Sequence, residues 1–177
     1  KDKVGYLASD TVYGELPVPT RGGYEFNGWH TAQSGGDPVD STTEFKYDQS
    51  HTLYAHWLKR LTVTLNATGG NVNPSSIEVV ETKQYTGLVD AKKDKFLFIG
   101  WFTTPETGGK QISSTSTVTE KNNHIIYARW RKGFAVTLDP NEGVVSQTEI
   151  VYDGDASTYG WLPTPTKDKA VFDGWYT

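Results

Sequence analysis

His51-Thr52-Leu53-Tyr54-Ala55-His56-Trp57 returns 73 residues later as His124-Ile125-Ile126-Tyr127-Ala128-Arg129-Trp130. A seven-residue run with apolar side chains at every second position reads as a β-strand. Ile126, Ala128 and Trp130 share one face, as Leu53, Ala55 and Trp57 do one period earlier, while Tyr54, His56, Tyr127 and Arg129 point the other way.

Working outward, other stretches obey nearly the same shift. Val63-Thr64-Leu65-Asn66 becomes Val136-Thr137-Leu138-Asp139, and Gly35-Gly36 becomes Gly108-Gly109. Gly28-Trp29, Gly100-Trp101 and Gly174-Trp175 stand 72 and 74 residues apart. Leu16-Pro17-Val18-Pro19-Thr20 returns as Leu162-Pro163-Thr164-Pro165-Thr166, but the middle copy is Leu88-Val89-Asp90-Ala91-Lys92, so its prolines are dispensable. A period of this length exceeds the roughly 20–50 residues of solenoid repeats and can hold its own small core. Three beads in series follow: residues 1–60, 61–132 and 133–177, of which only the middle one is complete. Each would bury only roughly 60% of its unfolded surface, so contact with neighbouring units should help stabilise it.

Within the middle unit, Leu61–Leu65 alternates as a strand and Asn66–Asn73 is a turn around Gly69-Gly70. Ile77–Val80, Phe96–Phe102 and His124–Trp130 supply three more strands, and Tyr85–Asp90 is short enough for one helical turn. Strict alternation would put Phe26 and Trp29 on opposite faces. A bulge at Gly28 shifts the phase by one and sends both rings inward, and glycine tolerates the backbone geometry of a bulge. Phe98-Gly100-Trp101 and Phe172-Gly174-Trp175 repeat the spacing, so the same bulge is expected in each unit.

The motif set resembles the Listeria–Bacteroides repeat, the internalin B-repeat family. It is carried by Tyr13–Thr20, Gly23–Thr31, Gly35-Gly36 and Thr52–Trp57, and it recurs over essentially the whole chain. The middle unit departs most, with Lys95-Phe96-Leu97-Phe98-Ile99 in place of the Gly-Tyr-x-Phe run. The resemblance implies tandem ubiquitin-like β-grasp units and a place in large secreted or cell-wall surface proteins, as arrays or stalks.

Composition narrows the function. The chain has 177 residues, 36% of them hydrophobic and 13% aromatic, with Gly and Pro at short intervals, which favours a mostly β protein of packed units. The absence of cysteine excludes disulfides and thiolate chemistry. Methionine is also absent, so the chain is expected to be a segment of something longer or a processed product. No apolar run approaches the ~20 residues of a membrane span, which argues against membrane insertion. A net charge of -4 argues against a nucleic-acid partner. Charge alternates along the chain: 6 Lys/Arg against 8 Asp/Glu in 1–60, 9 against 6 in 61–132, and 2 against 7 in 133–177.

Catalytic signatures are missing. The four histidines, His30, His51 and His56 in the first unit and His124 in the second, form no zinc-ligand set. Asp37, Asp40 and Asp48 lack calcium-loop spacing and read as solvated. No cofactor is expected. Five of the six tryptophans occupy repeated positions and read as core anchors. Trp161 does not: its counterparts are Glu15 and Gly87. Beside Tyr159-Gly160, it is the candidate contact for a glycan or a host or cell-surface protein.

Three readings follow. The first is a non-catalytic stalk or spacer with adhesive contacts, whose partners include neighbouring repeat units. The second is a binding module using Tyr159 and Trp161, and the third is an accessory segment of a secreted enzyme. The outer units each lack a strand, and the edges so exposed are expected to pair with other copies of the chain.

Overall fold

The computed structural model describes residues 5–6, 11–44 and 50–177, and every regular element among them is a β-strand. The strands are β1 (Tyr24–His30), β2 (Pro38–Val39), β3 (Tyr54–Asn66), β4 (Ser76–Val80), β5 (Phe96–Phe102), β6 (Gln111–Ile112), β7 (His124–Thr137) and β8 (Glu149–Asp153). They form two compact units, and these cut across the sequence period. One comprises Lys1–Val63, Glu78–Thr86 and Thr115–His124; the other comprises Thr64–Ile77, Gly87–Ser114 and Ile125–Thr177.

The cut has a simple cause. β3 runs 13 residues, from the last strand of one sequence period into the first strand of the next, and β7 does the same over 14 residues. Leu58-Lys59-Arg60 contains no residue that favours a turn, so nothing stops β3 at the first border, and at the second Gly133 stays extended because it pairs with Asp153.

In the first unit β1 lies antiparallel between β2 and β3. Phe26 faces Trp57 and Trp29 faces Ala55, so β1 spends one extra residue there: the expected bulge, with Gly28 at φ +103°. Phe26 then packs edge-on against both Trp29 and Trp57, at 5.7 and 5.6 Å between ring centres. Leu61, Val63, Val79, Tyr85 and Val118 are the buried apolar side chains of this unit's centre.

In the second unit β5 lies antiparallel to β6 and β7, and β8 pairs with the C-terminal part of β7. The bulge recurs: Phe98 faces Trp130, Trp101 faces Ala128, and Gly100 sits at φ +141°. Ile126 and Ala128 are buried, as the alternation requires.

Tyr85–Asp90 is not helical. Gln84 bridges to Thr117, and the Tyr85 N–H donates to the Ser116 carbonyl at 3.0 Å, so the backbone there is held by a neighbouring extended segment. Gly87 at φ +77° then turns the chain away from right-handed helix.

Candidate functional site

The repeated side chains form repeated pins. Each Gly-Trp tryptophan donates its indole N–H to a backbone carbonyl twelve residues earlier: Trp29 to Pro17 at 2.9 Å, Trp101 to Val89 at 2.9 Å, and Trp175, which lies outside any strand and shows no bulge, to Pro163 at 3.0 Å. Because the acceptor is a carbonyl, valine serves as well as proline, which is why the middle unit can lose its prolines. The Gly-Gly turns repeat too. Thr31 and Asp37 exchange hydrogen bonds across the first turn, and Thr103 and Lys110 do so across the second. A Cβ on Gly36 or Gly109 would lie 2.6 Å from the Ala32 nitrogen or 2.4 Å from the Thr104 hydroxyl.

Two further pairs were not foreseen from sequence. Tyr13 is buried and hydrogen-bonds His51 at 2.6 Å; Tyr85 is buried and hydrogen-bonds His124 at 2.8 Å. Burial, with the Glu120 carboxylate beside it, pushes the Tyr85 phenol well above its ordinary value. The signal was present: the tyrosine and the histidine recur together, 38 and 39 residues apart.

His30 and His56 stack with ring centres 3.7 Å apart, and His56 donates to the Ala32 carbonyl at 3.0 Å. In the middle period Arg129 lies 4.1 Å over the Phe102 ring and donates to Thr104 and Gly108 carbonyls. Different side chains thus hold equivalent turns. Asp40 caps its own turn by accepting from Thr42 and Thr43, and those donors, the Thr42 hydroxyl first, lower its carboxyl. Asp48 lies outside the described residues. Among the described residues, no three His, Asp or Glu side chains converge as a metal site would need.

Tyr159 and Trp161 differ in why they are exposed. Tyr159 aligns with Tyr13 and Tyr85, which are 4% and 1% exposed, yet it is itself 48% exposed. Its neighbours behave alike. Phe134 stacks on Tyr152, which packs edge-on against Tyr159, and the three align with buried Leu61, Val79 and Tyr85. Tyr159 is therefore exposed at a position that is buried in the two earlier periods. Trp161 is 78% exposed at a position where Glu15 and Gly87 also face solvent. Its exposure belongs to the fold, and the aromatic belongs to this unit alone.

A charged cluster holds the border between the first two sequence periods. Glu25 accepts from Lys83 and from Arg60 at 3.0 Å, and Arg60 reaches Glu78 at 2.7 Å. The Lys59 N–H donates to Glu81 at 2.8 Å, while its ammonium donates to the Lys121 carbonyl at 3.1 Å. The hydrogen bond from Lys83, opposed by burial and aided by both cations, holds the Glu25 carboxyl below its ordinary range. A carboxyl depressed in the folded state stabilises fully above its unfolded value and loses that contribution as pH falls through the folded one. Acidification below about pH 4 should therefore lower the unfolding midpoint, and Glu25→Gln should flatten that acid limb. At neutral pH Glu25→Gln should cost about 1 kcal/mol or less, because these pairs are partly exposed. Urea titrations of both proteins between pH 3 and 7 check this; parallel curves would count against the cluster.

The comparisons agree with the repeat. The chain is 30% identical over 175 residues to a protein of Evansella cellulosilytica described as a Gly-rich membrane protein, covering 92% of this chain and 19% of that one. It is 27% identical over 130 residues to internalin H of Listeria monocytogenes serovar 1/2a, covering 71% of this chain and 22% of that one. The chain thus spans about a fifth of the length of each relative. No solved structure matches. The model of the Listeria-Bacteroides repeat domain matches three times, at residues 2–56, 62–129 and 134–177, and the chain belongs to that family.

Proposed function

We propose that this chain is a non-catalytic spacer segment of a cell-surface protein, built from β-grasp-like periods that meet at 60/61 and 132/133. The observation that carries this reading is the pair of strands crossing those borders without a break, 13 and 14 residues long. A stalk needs units that do not flex freely at their joints, and a strand shared between periods supplies this, since no loop intervenes. Charged side chains reinforce it, with Arg60, Glu25 and Lys83 at one border and Arg131–Asp153 at the other. The relatives' names, an internalin and a membrane protein, favour display at the cell surface, and the family resemblance favours attachment to the wall. An accessory segment in a secreted enzyme would be built the same way; the parent reading frame separates the two.

Force-extension measurement of the chain tests the spacer. We expect stiff resistance followed by unfolding steps, with no soft stretching beforehand from coil at residues 57–61 or 130–134. Soft extension there would sink the reading.

A second reading, adhesion through the turn, is favoured by Trp161 alone. Trp161→Ala should change stability by less than about 0.5 kcal/mol, because the ring is surface-exposed. Screening wild type and this variant against glycans, matrix proteins and intact cells distinguishes the readings. Saturable binding lost in the variant makes the turn an adhesive site. No binding by either protein leaves the spacer alone.

A further inference from the structure

The bulges of the first two periods differ in how firmly they are held. In β5 the Gln111 amide donates to the Ile99 carbonyl at 3.3 Å, and a Cβ on Gly100 would meet that amide at 2.6 Å. Gln111 stands opposite Phe102 in the register. The residue in that place beside the first bulge, opposite His30, is Pro38, which has no side-chain amide to give. Around Gly28 the space is open: beyond its chain neighbours, the nearest atom to a Cβ there is the His30 Nε2, at 4.0 Å.

Between the pairs Phe26–Trp57 and Trp29–Ala55, Asn27 and Gly28 take no place in the register. Asn27 is the exposed residue of β1, and no hydrogen bond among the described residues ties its side-chain amide. By contrast, Asn66, Asn122 and Asn123 each accept a hydrogen bond, from Thr68, Lys59 and Thr62. Of the seven asparagines, Asn27 alone precedes a glycine. Glycine matters here because it has no Cβ to shield its backbone nitrogen from the preceding side chain.

We propose that Asn27-Gly28 is a site of self-modification whose only co-reactant is water. The Gly28 nitrogen attacks the Asn27 Cγ: an N–Cγ bond forms, the Cγ–Nδ2 bond breaks, and ammonia leaves carrying the Gly28 amide proton. Water then opens the cyclic imide at either of its carbonyls. Opening at Cγ leaves an ordinary aspartate, the residue that the third period already carries as Asp173. Opening at the main-chain carbonyl leaves an isoaspartate, whose backbone runs through Cβ and is longer by one atom. β1 already accommodates an extra residue at this point, with Phe26 and Trp29 spaced to meet Trp57 and Ala55. A further backbone atom throws the two halves of β1 out of step, so the isoaspartyl chain holds β1 less tightly to β3. The middle period, with Ile99 before its glycine, has no amide for this reaction.

The test incubates the whole chain at neutral pH, folded in buffer and unfolded in guanidinium chloride, and follows each asparagine by peptide mass spectrometry. In the folded chain we expect the amide-to-acid mass gain at Asn27, at a rate within severalfold of the unfolded chain's. The other asparagines of the folded chain should stay intact over the same time. Pro38→Gln, which supplies the middle period's clamp, should slow the reaction severalfold. The separated isoaspartyl chain should exchange its amide hydrogens at 24–30 faster than fresh protein, whereas Asn27→Asp should not. A folded chain that keeps Asn27 while the unfolded one loses it overturns the proposal, because the fold then protects the site. So does an isoaspartyl chain whose β1 exchanges as slowly as the fresh one's.

Discussion

Trp130→Ala is expected to destabilise the middle period by about 3 kcal/mol, the lower end of the cost of truncating a packed aromatic, because the ring is half-buried. The ring is held from several sides. It packs on Phe98, donates to Ala67 and Thr68, and lies where a Gly70 side chain would otherwise be. Thr68 also donates to the Ala128 carbonyl, so the loss would loosen the turn at 66–70 together with β7. Small domains have roughly 5–15 kcal/mol in all, and a unit this size sits near the lower end. Urea unfolding followed by tryptophan fluorescence should show the loss. Hydrogen exchange should show it concentrated at 65–71 and 126–130. A shift below about 1 kcal/mol would mean that the site collapses around the missing ring.

The second large effect is expected at Gly133, within β7. A Cβ built there would stand 2.2 Å from the Tyr152 carbonyl oxygen and 2.9 Å from the Val151 side chain. The first obstacle is backbone and cannot swing aside. Gly133→Ala must therefore push β8 away from β7, at about 1–3 kcal/mol by the usual cost of overpacking. The pairing of Phe134 with Tyr152 and of Ala135 with Val151 lies next to the clash and should go with it. Amide exchange across 149–153 should accelerate well beyond that in β5, which pairs with β7 on residues 127–132. Uniform acceleration throughout would point to global unfolding instead. The same substitution would be harmless at the aligned position of the first border, where Arg60 already carries a side chain and uses it to reach Glu25 and Glu78.

Much of this architecture was legible because strand periodicity and glycine placement are local signals. The phase conflict between Phe26 and Trp29 could be resolved only by an extra residue, and the register shows one in both complete pairings. Leu61, Val63 and Leu65 were assigned to one face and all three are buried. The two-residue strands β2 and β6 were missed, since Pro38-Val39 and Gln111-Ile112 are too short to show alternation. The helical turn expected at 85–90 fails because hydrogen bonds to 116–118 come from distant sequence. A strand crossing a period border was also missed, although the lack of turn residues at 58–60 hinted at it.

At the candidate site, sequence distinguished Trp161 by its unmatched position, and the structure places it in solvent. It did not separate Trp161 from Tyr159. Both look like turn aromatics until the buried counterparts Tyr13 and Tyr85 are compared in three dimensions.

The uninterrupted strands also restrict how such a protein can change over generations. Ala55, Trp57, Leu61, Val63 and Leu65 are all odd-numbered along β3, and Ile126, Ala128, Trp130, Phe134 and Val136 are all even along β7. Side chains alternate sides with every residue, so inserting or deleting one residue between Trp57 and Leu61 would turn the following period inside out. Two residues would restore it. Indels at these borders should therefore be tolerated in pairs, a parity rule inherited by every period downstream, while loops such as 103–110 remain free to vary by one.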